Sequence, residues 1–202
     1  MPSLHLPYKI AIIGGIGSGK SVVSRLFRMM GIPVYDCDSE AKRLMNTDTA
    51  LRSALIKAIG AQVYGADGRV DRAFLASYMF GHPDRVALVN SIVHPAVRAH
   101  FTAWAANAHT QVVAVETAIL FESGMDADVD ALLVVYAPEE LRLQRAMQRD
   151  GADEQTIRRR MESQMPSDQL LARATHIIYN DDTASLIAQM EQIIGQVIEK
   201  HG

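Results

Sequence analysis

Apolar runs without polar alternation recur along the chain. Lys9-Ile-Ala-Ile-Ile13, Gln111-Val-Val-Ala-Val115 and Ala131-Leu-Leu-Val-Val-Tyr136 have the pattern of parallel strands covered on both faces. Val34-Tyr35, running on to Asp36-Cys37-Asp38, and His176-Ile-Ile-Tyr179 predict two shorter strands. Segments of helical period separate them. Residues 20–30 place Val22, Val23, Leu26, Phe27 and Met30 on one apolar face. Gly31 suits the position after the C-cap, and Pro33 prevents the helix from resuming. Pro138 suits the start of a helix over 139–149, and Gly151-Ala152 breaks it. A second helix is predicted over 153–164, ended by Pro166, and an amphipathic helix over 183–200 closes the chain.

The interval 39–110 is about seventy residues long, whereas a whole βαβ unit needs only about thirty. Its contents read as helices over 40–45, 50–59, 72–79, 84–92 and 95–107. Turn signals stand at Gly65-Ala-Asp-Gly68 and Gly81-His-Pro83. Strand and helix alternate around a helical insertion, which predicts an α/β fold with a parallel, doubly wound sheet.

Composition narrows the class. The 202 residues are 49% hydrophobic and 21% charged, near the averages of globular proteins. Lys+Arg 20 against Asp+Glu 23 leaves a net charge of −3. That excludes a strongly basic nucleic-acid footprint. No apolar run reaches the roughly 18 residues of a membrane span. The segment 1–7 lacks the pattern of a signal peptide. One cysteine, Cys37, permits no intrachain disulfide, and a cytoplasmic setting is expected. Cys37 reads as a small buried residue; Trp104 and the ten methionines read as core.

Gly14-Gly-Ile-Gly-Ser-Gly-Lys-Ser21 matches G-x-x-x-x-G-K-[ST] in full, between a strand and a helix. Glycines let the backbone turn its N–H groups inward at a phosphate, and the helix dipole adds to the attraction. The residues expected around a nucleoside triphosphate are Gly15, Ile16, Gly17, Ser18, Gly19, Lys20, Ser21 and Val22. Lys20 supplies a cation to the β- and γ-phosphates, and Ser21 offers a hydroxyl to Mg²⁺.

Phosphoryl transfer to a hydroxyl also needs a group to take the proton. Asp36 and Asp38 end the second strand, where period-2 alternation would turn both the same way; Asp38 also suits an N-cap. Glu116 follows a buried strand, as a carboxylate near Mg²⁺ would, and Glu122 is a second possibility. Arg142, Arg145 and Arg149, at i, i+3 and i+7, share a stripe of about 60° on one helix face. Arg158-Arg-Arg160 follows on the next helix, making an arginine-bearing hairpin suited to a lid. Arg158 and Arg159 read as a solvated face. Pro95 fits a helix's first position, so His94 reads as its cap, with contact to an acceptor as the other reading.

The phosphate loop, Val34-Tyr-Asp-Cys-Asp38, His94-Pro95, Ile119-Leu-Phe-Glu122, Arg145-Ala-Met-Gln-Arg149, Gln164 and Asn180 stand in one order. That order and spacing resemble the dephospho-CoA kinases over nearly the whole chain. The resemblance implies a P-loop NTPase core with a parallel sheet flanked by helices, a helical acceptor-binding insertion and a helical lid. It implies ATP-dependent phosphorylation of the ribose 3′-hydroxyl of dephospho-CoA, with ATP and Mg²⁺ as cofactors. On the resemblance Asp38 becomes the catalytic base, Arg145 and Arg149 act on phosphates and Asn180 lies near the adenine, while the residues' own chemistry puts Lys20 at the phosphates, Ser21 and Glu116 at the metal, and His94 within reach of the acceptor. The core is expected over 1–38, 108–140 and 166–202, the acceptor domain over 39–107 and the lid over 141–165. Ala118, Ile119 and Glu116 depart from the family's usual proline, leucine and aspartate. Two other readings are a nucleoside or shikimate-type kinase and a nonenzymatic nucleotide sensor. A GTPase-like switch needs Asn-Lys-x-Asp and Asp-x-x-Gly, and neither occurs.

Overall fold

The computed structural model describes residues 6–201; most of the segment read for a signal peptide lies outside them. Five strands form one parallel sheet: β1 (Tyr8–Ile13), β2 (Val34–Asp36), β3 (Val112–Glu116), β4 (Ala131–Tyr136) and β5 (His176–Tyr179). Their order is β2-β3-β1-β4-β5. Ile12 of β1 lies in register with Glu116 of β3 and Leu133 of β4. Ile10, Ala11 and Ile12 are fully buried, so both faces of β1 are covered. That is why its sequence shows no alternation.

α1 (Lys20–Met29) and α9 (Leu186–His201) cover one face. Val23 and Phe27 of α1, and Met190, Ile193, Ile194 and Val197 of α9, pack with Ile10, Ile12, Val112, Leu133, Val135 and Ile178. α1 ends as expected. Gly31 takes φ +80°, its N–H donates to Arg28, and the Ile32 N–H donates to Phe27, a complete Schellman closure. Val22 and Met30, expected on the apolar face, are instead exposed. The buried stripe runs through Val23, Ser24 and Phe27, about 100° of helix away from Val22.

On the other side of β4 in sequence, α6 (Glu139–Asp150) and α7 (Glu154–Glu162) follow, Ala146 and Leu143 packing on Ile157. A further helix, α8 (Ser167–Arg173), lies where only the stop at Pro166 was expected; Pro166 is its N-cap. The chain divides into two compact units, residues 1–35 with 105–202, and residues 36–104.

The second unit holds α2 (Cys37–Thr47), α3 (Thr49–Ile59), α4 (Arg72–Met79) and α5 (Pro83–Ala106). Asp36, Asp48 and Asp71 cap α2, α3 and α4, their carboxylates accepting N–H bonds from the first turns. Leu51, Leu55 and Ile59 and, on α5, Val89, Val93, Val97 and Phe101 recur every fourth residue and are buried. Tyr64 and Val70 bridge around the Gly65–Gly68 turn, with the Tyr64 hydroxyl donating to the Met45 carbonyl at 2.7 Å. The two helices expected over 84–92 and 95–107 are one helix with Pro95 inside. Proline there removes one bond to the Ser91 carbonyl. The apolar stripe from Val89 to Phe101 continues across it, and burial outweighs the missing bond.

Core assignments for the sulfur and indole side chains hold only in part. Met125 and Met190 are buried, but Met29 and Met30 are exposed and Trp104 is half-buried against Phe101. Cys37 is buried, as expected. Among the described residues no helix is long and apolar enough to cross a membrane.

Phe27 is fully buried between α1 and the sheet. Phe27→Ala is expected to lower unfolding stability by about 3–5 kcal/mol. Urea denaturation checks this, and a loss below about 1 kcal/mol would contradict the packing.

Candidate active site

β1 and β3 are neighbours whose following connections leave in opposite directions, β1 towards β2 and β3 towards β4. In open α/β sheets such a switch point opens a crevice at the carboxyl ends of the strands. The glycine loop leaves β1 at that crevice, and Glu116 is the last residue of β3. Thr117, buried behind it, donates its N–H to the Ile12 carbonyl and accepts the Ile119 N–H on its hydroxyl. This turn takes the chain past Ala118 and Ile119 without the usual proline.

The start of α1 differs from its counterparts. α2, α3, α4 and α7 each begin at an aspartate whose carboxylate takes first-turn N–H groups. α1 begins at Gly19, has no side-chain cap and has no acid in its first turn. No carboxylate neutralises the positive end of its dipole, which therefore favours an anion, while the Val22 N–H turns back to the Gly19 carbonyl at 2.9 Å. The Lys20 ammonium arches back over the loop and donates to the Gly14 carbonyl at 2.7 Å and the Gly15 carbonyl at 3.2 Å.

Neighbours press on this loop from outside. Gly17 has φ +76°, and a Cβ there would strike the Arg142 carbonyl. Gly19 has φ +98°, and a Cβ there would strike the Asn180 amide, which donates to the Ser18 carbonyl at 2.8 Å. Both positions require glycine for conformation and for space. Ser18 is buried, Ile16 and Lys20 are half-buried, and Ser21 and Val22 are exposed.

The arginine stripe separates into three fates. Arg142 is buried against the loop. Arg145 donates to the Asn180 carbonyl at 2.8 Å and pairs with Asp182 at 3.1 Å. Arg149 pairs with Asp150, which also takes Arg160. Hydrogen bonds from Arg149 and Arg160 hold the Asp150 carboxyl well below the usual carboxylate range, and Asp150 in turn raises Arg149. Arg158 pairs with Glu154, Glu139 and Glu140, the solvated arrangement expected of it.

The structure corrects two expectations. β2 ends at Asp36, and Asp38 stands exposed on the first turn of α2 rather than on a strand. The cap belongs to Asp36, whose carboxylate accepts from the Asp38 and Ser39 N–H groups. His94 lies half-buried within α5, so it does not cap a helix.

Two residues missed as loop contacts are Arg142 and Gln164. Gln164 accepts the Ile16 N–H at 2.8 Å. Arg142 had a signal, since it is the member of the stripe nearest the loop; Gln164 lies 148 residues from its partner, and its local sequence offers none.

Among the described residues no three His, Cys, Asp or Glu side chains cluster as a metal cage. The Ser21 hydroxyl and the Glu116 carboxylate are instead hard oxygen donors, of the kind that Mg²⁺ takes together with phosphates and water. The donor set therefore fits a nucleotide-bound Mg²⁺.

The dephospho-CoA kinase family model matches residues 8–185. Dephospho-CoA kinases of Bacteroides fragilis and Porphyromonas gingivalis are 41% identical over 193 residues and 43% identical over 192. Each alignment covers 95% of this chain, with 94% and 95% of those proteins. A crystal structure from Thermus thermophilus is 33% identical with a TM-score of 0.78, covering 98% of this chain and 100% of that one. Shikimate kinase from Acinetobacter baumannii, at 16% identity and a TM-score of 0.54, shares the fold alone over 96% of this chain and 94% of that one. A match running from the first residue of β1 to the edge of α9, with nearly all of each relative covered, shows that the chain belongs to the dephospho-CoA kinase family.

Proposed function

We propose that this chain transfers the γ-phosphoryl group of ATP to the ribose 3′-hydroxyl of dephospho-CoA, the closing step of coenzyme A synthesis. One observation carries the reading: an uncapped, acid-free start of α1 behind a complete phosphate loop, in a chain of this family. Loop amides and the α1 dipole bind the triphosphate. Lys20 exchanges the carbonyls of Gly14 and Gly15 for phosphate oxygens. Ser21 and Glu116 would hold Mg²⁺, which when bound offsets charge on the β- and γ-phosphates. Asp38 takes the proton of the 3′-hydroxyl. Arg145 and Arg149 offset the charge that develops on the transferred group. Asn180 lies by the adenine. Residues 39–107, with His94, form the acceptor domain, and 141–165 form the lid over the core. A cytoplasmic setting suits both substrates.

The test is ADP release with Mg-ATP, comparing dephospho-CoA, adenosine, AMP, shikimate and no acceptor. Release only with dephospho-CoA, and one phosphate added to that acceptor by mass, is the expected result. Release dependent on another acceptor would overturn the reading.

Lys20→Ala removes a cation from the phosphates and is expected to lower kcat by roughly 10²–10³-fold. Unchanged turnover would contradict the loop assignment. Asp38→Asn is expected to keep ATP affinity, measured by calorimetry, while kcat falls by about 10²–10⁴-fold. Turnover at the normal rate would remove Asp38 as the base.

A further inference from the structure

Ile16 stands between Gly15 and Gly17, flanked on both sides by the least stiff residue type. Such a segment does not hold its own shape. Three contacts supply the stiffness, one to each successive residue. A Cβ on Gly15 would meet the Arg142 guanidinium, a Cβ on Gly17 would meet the Arg142 carbonyl, and the Ile16 N–H donates to the Gln164 side-chain carbonyl at 2.8 Å. Arg142 is steric backing: it stops the loop from moving towards α6. Gln164 is the directional contact, because it fixes where one peptide plane points.

We propose that Gln164 is a positioning residue for phosphoryl transfer, acting through the Ile16 amide to set the loop residues that hold the triphosphate. It rests on the kinase reading above. Gln164 lies between α7 and α8, its own N–H turned back to the Met161 carbonyl. The strut therefore joins the far end of the α6–α7 hairpin to the phosphate loop. Bringing that end of the hairpin to the core and fixing the loop are then one event. In a reaction that depends on geometry, a displacement of about 1 Å can cost about 10²-fold in rate.

Gln164 and Arg142 also line a cavity of about 400 Å³ between α6, α7 and α8. A side chain at 164 can therefore be exchanged without crowding. Gln164→Met keeps the length and removes the acceptor; Gln164→Glu keeps an acceptor oxygen and adds charge near the triphosphate.

For Gln164→Met, kcat with dephospho-CoA is expected to fall by about 10–100-fold, with the KM for dephospho-CoA unchanged. Hydrogen exchange at the Ile16 amide should accelerate. Gln164→Glu should keep the Ile16 amide protected and kcat within about threefold of the unaltered chain, while the KM for ATP rises. A merely structural role would lower the melting temperature of both variants and leave kcat alone, and that result overturns the proposal. So would unchanged Ile16 exchange in Gln164→Met. If the unaltered chain releases no ADP with dephospho-CoA, the kinase reading fails instead, and Ile16 exchange alone still decides the strut.

Discussion

Backbone amides that wait for a phosphate cannot be tied up by the protein's own carbonyls, so the loop that presents them must be shaped from outside. Buried amides are otherwise almost always paired. The other helices with an aspartate cap obey that rule locally. α1 has no side-chain cap, and the rest of the helix is anchored instead. Val23 and Phe27 are fully buried against the sheet, within eight residues of Gly19. The loop is thus stretched between β1, covered on both faces, and a helix fixed by its core side chains. Its glycines then meet Arg142 and Asn180 from the side. Flexibility permits the turn, and close neighbours remove the flexibility afterwards.

Topology supplies the space in front of the loop. With β1 central and connections diverging from β1 and β3, a crevice opens at their carboxyl ends. Glu116 reaches that edge because it pairs with Ile12, two residues before the loop begins. The register does the positioning, and the extra methylene of glutamate over aspartate changes reach rather than place.

The strands, α1, α4, α6 and the phosphate loop were legible in the sequence, because each rests on a local pattern. Apolar runs, a glycine after a C-cap and a full loop motif need no distant partner to be read. Failures arose where tertiary burial overrode a local rule. Pro95 looks like a helix start, yet the stripe from Val89 to Phe101 carries the helix through it. Asp38 looked like the end of a strand, but Asp36 captures two amides and turns the chain into α2 two residues early. Arg142, Arg145 and Arg149 all lie on α6. The three still differ: Arg142 is buried, Arg145 half-buried and Arg149 exposed. Gln164 acts on a partner far away in sequence, and no short-range signal marks it.

The two outer arginines show how charge can be kept ready without being stranded. Arg145 holds the Asn180 carbonyl and Asp182, the one described non-glycine residue with positive φ, and Arg149 holds Asp150. Each is an ion pair with at least one well-exposed partner, and such pairs contribute little net stability because water and salt screen them. A triphosphate offers several negative charges and a water-poor site, where the same guanidinium interacts more strongly. In the proposed reaction the aspartates therefore act as weak holding partners. Asp182 keeps Arg145 beside Asn180, whose amide bonds the loop, Asp150 keeps Arg149 ordered on α6, and both would yield to a stronger anion. Arg142 cannot be exchanged in this way, since it is buried and its carbonyl closes on Gly17. In the proposed reaction one helix thus carries a buried arginine that abuts the loop and two paired arginines that would meet the triphosphate.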